Sequence, residues 1–262
     1  CIFCSSQGSG DFAGSARLSI AEQIKQGKAD ISSKRPVHSY IAYFQAFTNT
    51  YAPVETLRAL YMEAIADPEV KILSIATRPD CLGADVLALL DEINHIKPVW
   101  VELGLQTIHP ETSAYIRRGY ELSVFEQAVK ELRAIGITVI VHTILYLPGE
   151  TKDDMLDTIH YLNHMDIQGI KLQLLHVLTH TDLAADYEKH PFYIPDMQDY
   201  IQFLGTCIAQ LNPEIVIHRL TGDGAKDLLI APLWTSNKRT VLNQLHSHLK
   251  EQDIWQGKEY YV

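Results

Sequence analysis

Val70-Lys71-Ile72-Leu73-Ser74-Ile75-Ala76-Thr77 is a near-continuous apolar run, and Ile137-Thr138-Val139-Ile140-Val141 is another. A strand with one wet face alternates apolar and polar residues, whereas a run without alternation is expected where helices cover both faces of a parallel sheet. Similar β-rich runs centre near Tyr43, Leu73, Val101, Ile140, Leu172 and Ile217, so successive centres lie 30, 28, 39, 32 and 45 residues apart. That is the rhythm of strand-plus-helix units. Between the runs, Leu57, Leu60, Tyr61, Ala64 and Ile65 follow helical spacing after Pro53, which predicts a helix start there. Phe125, Ala128, Val129 and Leu132 repeat the pattern, with Gly136 as its stop. A third helix is predicted from about Lys152 to Met165, with Thr151 or Glu150 at its start and Asp153-Asp154 at the positive end of its dipole. The result is an α/β fold, a (β/α) barrel or an open sheet.

The 262 residues are 47% hydrophobic and 21% charged, which excludes a disordered or fibrous chain. An α/β barrel reaches ~250 residues as one unit, so one domain is expected. The period breaks after Arg219, and Asn237 to Lys250 reads as a terminal helix capping the domain or pairing it with a second copy. This places a core over 1–220 and a C-terminal extension over 221–262. The formal charge of −10 argues against a generic polyanion binder. No uncharged apolar run approaches the ~18 residues of a spanning helix. Four cysteines are too few for a secreted disulfide framework, so a reducing cytoplasm is expected. The chain opens on Cys1 rather than Met, and its natural N-terminus is expected upstream.

In parallel α/β folds the reacting groups gather where strands end and loops begin. The predicted strand ends carry Gln45, Thr48 and Asn49; Thr77-Arg78-Pro79-Asp80; Glu102 through Gln106; His142 through Gly149; Lys171 to His176; and His218-Arg219. Any one of these could be a satisfied core polar group. Six strands delivering such groups to one rim is unexpected for a purely structural barrel.

Cys1-Ile2-Phe3-Cys4 is the sharpest local feature. Two thiolates this close can ligate one metal centre, although zinc or an iron–sulfur cluster needs more donors. Neither Cys81 nor Cys207 offers a second such pair. On spacing alone a zinc knuckle, a cluster with one ligand upstream and coincidence all stay open.

These residues resemble the radical S-adenosylmethionine (radical SAM) superfamily, in the branch of YhcC-type proteins related to the catalytic subunit of Elongator, over essentially the whole chain. Members carry three cysteines, the last two as C-x-F/Y-C, which Cys1-Ile2-Phe3-Cys4 matches. Gly8-Ser9-Gly10-Asp11-Phe12-Ala13-Gly14 resembles the small-residue loop that follows. Tyr43-Phe44-Gln45-Ala46-Phe47-Thr48, Ala76-Thr77-Arg78-Pro79-Asp80-Cys81, Val101-Glu102-Leu103-Gly104-Leu105-Gln106-Thr107 and Leu147-Pro148-Gly149-Glu150-Thr151 follow in order and spacing. Three departures stand out: Tyr146 where relatives have Gly, Arg118-Gly119-Tyr120 where they have Arg-x-His, and Thr179-His180 where they have Lys-Gly.

The resemblance implies a partial (β/α)6 TIM-like barrel and a 4Fe-4S cluster held by Cys1, Cys4 and a cysteine upstream, used to cleave SAM to a 5′-deoxyadenosyl radical. It implies that Gln45 contacts the methionine moiety, that Glu102 and Gln106 hold ribose or methionyl groups, and that Thr77 and Arg78 belong to the same binding set. Arg118 or its neighbour Arg117 would pair with the SAM carboxylate, and Leu147, Pro148 and Gly149 would present backbone to the adenine. His142, Lys171 and His176 are the catalytic candidates, with His218 and Arg219 on the substrate side. Cys81 is either catalytic or a small buried hydrophobe. Elongator-type relatives act on wobble uridines, so tRNA is the implied substrate, with a flavodoxin- or ferredoxin-type electron donor. The acidic balance keeps two rivals open: an enzyme acting on a small metabolite, and a cluster-free barrel serving as a binding module.

Overall fold

A computed structural model describes residues 1–8, 10, 13–33, 36–222 and 224–260. Ser9, Asp11 and Phe12 of the small-residue loop lie outside the described residues. The elements run α1 (Ile20–Ser32), β1 (Tyr40–Phe44), α2 (Val54–Ile65), β2 (Val70–Thr77), α3 (Ala84–Asn94), β3 (Val99–Gln106), α4 (Pro110–Tyr115) and α5 (Leu122–Ala134). They continue with β4 (Thr138–Leu145), α6 (Lys152–Asn163), β5 (Gly169–Leu174), β6 (Val177–Leu178), α7 (Asp182–Lys189), α8 (Met197–Gln210), β7 (Val216–Arg219), β8 (Leu229–Ala231) and α9 (Lys238–Glu251). Among the described residues one sheet has the strand order β1-β2-β3-β4-β5-β7, and β6 pairs with β8 antiparallel in a second. No helix among these residues is long and apolar enough to cross a membrane.

The chain divides into two compact units. One comprises Gln7–Gly104 and Ser123–Ile140. Within it β1, β2 and β3 pair in parallel, with Tyr43 opposite Ser74 and Ala76 opposite Glu102. Helix α2 begins after Pro53 and buries Leu57, Tyr61, Ala64 and Ile65 of the predicted stripe, while Leu60 is half-buried. Each such large side chain contributes roughly 1.5–3 kcal/mol when fully buried. Helix α5 buries Phe125, Ala128, Val129 and Leu132, and Gly136 at φ +72° turns the chain beyond its end. Helix α1 escaped the sequence reading because its apolar residues are sparse. It starts on a capping box, Ser19 with Glu22, and buries no residue, leaving a groove of about 340 Å³ between its face and β1.

The other unit comprises Cys1–Ser6, Leu105–Leu122 and Val141–Val262. Strands β5 and β7 pair in parallel there, with Lys171 opposite Arg219. Helix α6 starts where its sequence predicts: Thr151 Oγ1 accepts from the Asp154 amide at 3.2 Å, and Asp154 Oδ2 accepts from the Thr151 amide at 2.8 Å. Such reciprocal caps contribute about 1 kcal/mol. Helix α9 is the expected terminal helix, capped by Asn237. Helices α7 and α8 and the β6–β8 pair were not foreseen.

Candidate active site

Three residues at strand ends stand in left-handed backbone: Phe47 after β1 (φ +60°), Gln106 closing β3 (φ +68°) and Tyr146 after β4 (φ +63°). An L-residue there costs roughly 1–2 kcal/mol, and such strain collects where geometry serves a site. At Gln106 the Thr107 amide donates to the Leu105 carbonyl at 2.9 Å, a γ-turn of the rare positive-φ kind.

In the first unit Glu102 is 5% exposed. The Tyr43 hydroxyl donates to its Oε2 and the Ser74 hydroxyl to its Oε1, both at 2.8 Å. Strands β1 and β2 therefore each hold one oxygen of the carboxylate, which fixes its plane. Gln45, just past β1, borders the groove beside α1. The Thr77 hydroxyl lies 2.5 Å from that of Thr50, which also donates to the Cys81 carbonyl at 2.6 Å. Arg78 forks onto Asp80 through Nε and Nη2, at 2.9 and 2.7 Å. Cys81 ends the short 3₁₀ turn Pro79–Cys81, and burial, reinforced by Asp80, pushes its thiol up. That is the opposite of what an activated thiolate needs.

In the second unit the Cys1 and Cys4 sulfurs converge to 2.6 Å. Ile2 pins their loop: its amide donates to the Ile116 carbonyl at 3.3 Å, and its carbonyl accepts from the Leu183 amide at 2.9 Å. The Ile2 side chain packs with Ile116, Leu147, Leu175, Val177 and Leu183. Both thiols lie on one short loop pinned by Ile2, and as soft sulfur donors they fit as two members of a thiolate set. Among the described residues no group of three or more Cys, His, Asp or Glu gathers around a metal position. Cys207 is fully buried in α8, and burial drives its thiol up to about 12.

Arg117 and Arg118 are told apart. Arg117, itself at φ +55°, reaches Asp182 at the surface, with its side chain 64% exposed. Arg118 is 6% exposed and turns inward, where Nη1 donates to the carbonyls of Leu105 (3.1 Å) and Thr107 (2.6 Å) and Nε to that of Tyr120 (3.1 Å). Its guanidinium also lies over the Tyr120 ring at 4.9 Å. Arg118 thus clamps both neighbours of the strained Gln106. Leu147 is buried and Gly149 stands at φ +91°, where a side chain would be strained. Burial raises the Glu150 carboxyl, against hydrogen bonds from Thr107 and Thr112 that lower it.

Of the substrate-side candidates, Lys171 is buried on β5 opposite Arg219 of β7, and His142 Nδ1 lies 3.5 Å from Gln173 Nε2. His218 and Arg219 are half-buried on β7. His176 sits beneath a glycine loop: a Cβ on Gly222 would fall 2.6 Å from its ring, and one on Gly224 3.1 Å. The sequence assigned Tyr43, Ser74 and Glu150 no part in the site, and this loop was not singled out. Only the loop left a local signal, two glycines two residues apart just after a strand.

A family model described as Radical SAM superfamily matches residues 1–162, and one described as Radical_SAM C-terminal domain matches 167–251. The chain is 42% identical over 258 residues to Uncharacterized protein YtqA of Bacillus subtilis, covering 98% of this chain and 80% of that one. It is 34% identical over 255 residues to Protein YhcC of Escherichia coli, covering 97% and 81%. Among solved structures it resembles the archaeal Methanocaldococcus infernus Elp3 with a TM-score of 0.74 at 14% identity, over 90% of this chain and 59% of that one. It also resembles coproporphyrinogen III oxidase of Escherichia coli, itself described as a radical SAM enzyme, with a TM-score of 0.52 at 17% identity over 72% and 46%. At such identities these likenesses speak for the fold, and that fold is the α/β partial barrel the sequence led us to expect.

Proposed function

The chain belongs to the radical SAM superfamily, and from that premise we propose that it binds SAM between the cysteine loop, the Arg118 turn and the Leu147–Gly149 segment, and acts on a wobble uridine of tRNA. The family implies a 4Fe-4S cluster and SAM, and the bound cluster supplies the one-electron reduction that splits SAM into methionine and a 5′-deoxyadenosyl radical. The observation that carries the reading is the packing of Ile2, Ile116 and Leu147 in one apolar cluster. It draws together a residue between the two cysteines, the turn leading to Arg118 and the start of the adenine segment.

Each residue has a defined task in this reading. Cys1 and Cys4 supply two of three thiolates. Arg118 holds the backbone around Gln106, so that the Gln106 side chain meets ribose in one orientation, and directs its remaining nitrogen, Nη2, to the SAM carboxylate. By the family resemblance, Glu102, oriented by Tyr43 and Ser74, accepts from a ribose or methionyl donor, and Gln45, Thr77 and Arg78 belong to the methionyl binding set. Lys171, His142 and His176 face substrate, with His218 and Arg219 beside them; Lys171 and Arg219 add positive charge. Cys81, with its raised thiol, contributes packing rather than nucleophilic attack. A flavodoxin- or ferredoxin-type protein of the cytoplasm donates the electron.

The net charge of −10 favours a second reading, a small metabolite in place of tRNA. Binding of tRNA to the full-length protein between 50 and 200 mM salt separates the two. Affinity falling steeply and linearly on logarithmic axes supports tRNA, since phosphate contacts release counterions. No measurable tRNA binding at 50 mM salt refutes tRNA and leaves the metabolite.

A further inference from the structure

Asp199, in the first turn of α8, holds both ends of the segment proposed above to receive the adenine. Its Oδ2 accepts from the Tyr146 hydroxyl at 2.8 Å, and its Oδ1 pairs with the Lys152 ammonium. Tyr146 immediately precedes Leu147, and Lys152 opens α6 immediately after Thr151. One carboxylate therefore ties together the two residues that bracket 147–151. Tyr193 donates to the same Oδ2 at 3.0 Å. Burial works to raise this carboxyl, but the bonds from Lys152, Tyr146 and Tyr193 outweigh it and hold Asp199 below its usual range, so it is ionised at neutral pH.

Tyr146 is committed to this contact at a cost. Its φ of +63° lies in the left-handed region that favours glycine. The ring is 4% exposed and lies edge-on to Phe203 of α8 at 5.6 Å, while the Tyr146 amide meets Met155 Sδ at 2.8 Å. Between the two tied ends, the Glu150 amide donates to the Leu147 carbonyl at 3.1 Å and closes the segment into a turn. A segment so fixed has its backbone groups in place before a ligand arrives, which removes an ordering cost from binding.

We propose that Asp199, acting through Tyr146 and Lys152, is a positioning residue that sets the affinity of this protein for the nucleoside half of SAM. The proposal rests on the reading that residues 147–149 receive the adenine. It makes α8 a controller of cofactor affinity although neither Asp199 nor Tyr146 need touch the cofactor.

The test uses the full-length protein reconstituted without oxygen, with equilibrium binding of SAM and of 5′-deoxyadenosine to the wild type, Tyr146→Phe, Asp199→Asn and the double variant. Removing one hydroxyl in Tyr146→Phe is expected to weaken both ligands by about the same factor, on the order of tenfold for a lost bond to a charged group. Asp199→Asn, which also loosens Lys152, is expected to weaken both ligands at least as much, and the double variant to be no worse than Asp199→Asn alone, because the Tyr146 linkage is already cut there. Urea midpoints taken alongside report the structural cost separately. Single variants that lose stability yet bind both ligands like the wild type overturn the proposal, as does weakening of SAM alone or full additivity in the double variant. A wild-type protein that binds neither ligand overturns the adenine reading itself, and this proposal with it.

Discussion

Replacing Arg118 with lysine tests whether that residue is a structural clamp as well as a ligand arm. The guanidinium spends Nη1 on the carbonyls of Leu105 and Thr107 and Nε on that of Tyr120. A hydrogen bond from a charged donor contributes about 1.5–3 kcal/mol. Lysine keeps the charge but has a compact ammonium without the planar fork, so it cannot span carbonyls on both sides of Gln106. Losing two of the three bonds at the low end of that range removes about 3 kcal/mol, a large part of the ~5–15 kcal/mol that stabilises a native protein. Urea unfolding of wild type and Arg118→Lys at pH 7 reads this directly. With its clamp gone, the strained Gln106 turn also relaxes, so SAM affinity falls together with stability. A loss under about 0.5 kcal/mol, the range of ordinary surface changes, would refute the clamp.

Further outcomes follow from the same contacts. Ile2→Ala removes a side chain that is 5% exposed from the cluster beneath the cysteine loop, and is expected to cost about 2–4 kcal/mol and to lower iron retained after reconstitution; full retention would contradict the role given to that packing. Because burial raises Glu150 above 4.5, the folded chain holds this proton more tightly than the unfolded chain. The stability it contributes is full below about pH 4.5 and is lost as pH rises through the folded value, so wild type should lose urea midpoint relative to Glu150→Gln between pH 4.5 and 7. Equal midpoints across that range would show that the carboxyl is not held up. Cys207, fully buried and with its thiol up to about 12, should resist iodoacetamide at pH 8 until the protein unfolds, while the exposed Cys1 reacts. Peptide mass spectrometry distinguishes them.

Much of the scaffold was legible because strand and helix periods are local. The apolar run of β2, the stripe of α2 and the Thr151 cap of α6 are each written within a few residues. Helix α1 was harder to see, since Ile20, Ile24 and Ile31 share one face but Gly27 interrupts it and none of the three is buried. The support of the site was hidden for a different reason. Tyr43 and Ser74 reach Glu102 from 59 and 28 residues away, and Leu183 supports Ile2 from the far half of the chain. Such partners are joined only by strand register and helix packing. The sequence reading gave Arg118 one task, a salt bridge to SAM, because the fork matches a carboxylate; its bonds to three backbone carbonyls depend on a turn that no pattern announces. Tyr146 showed as a departure from the family pattern, but its bond to Asp199, 53 residues on, is set by how α8 packs.

The most direct test of the account is SAM cleavage by the full-length protein. Reconstituted anaerobically and reduced with dithionite, it should hold about four irons per chain, as a cubane cluster requires, and release 5′-deoxyadenosine from SAM, with both lost in the Cys1→Ala, Cys4→Ala double variant. A wild-type protein with no cluster and no 5′-deoxyadenosine, or a double variant that still produces it, would contradict the account.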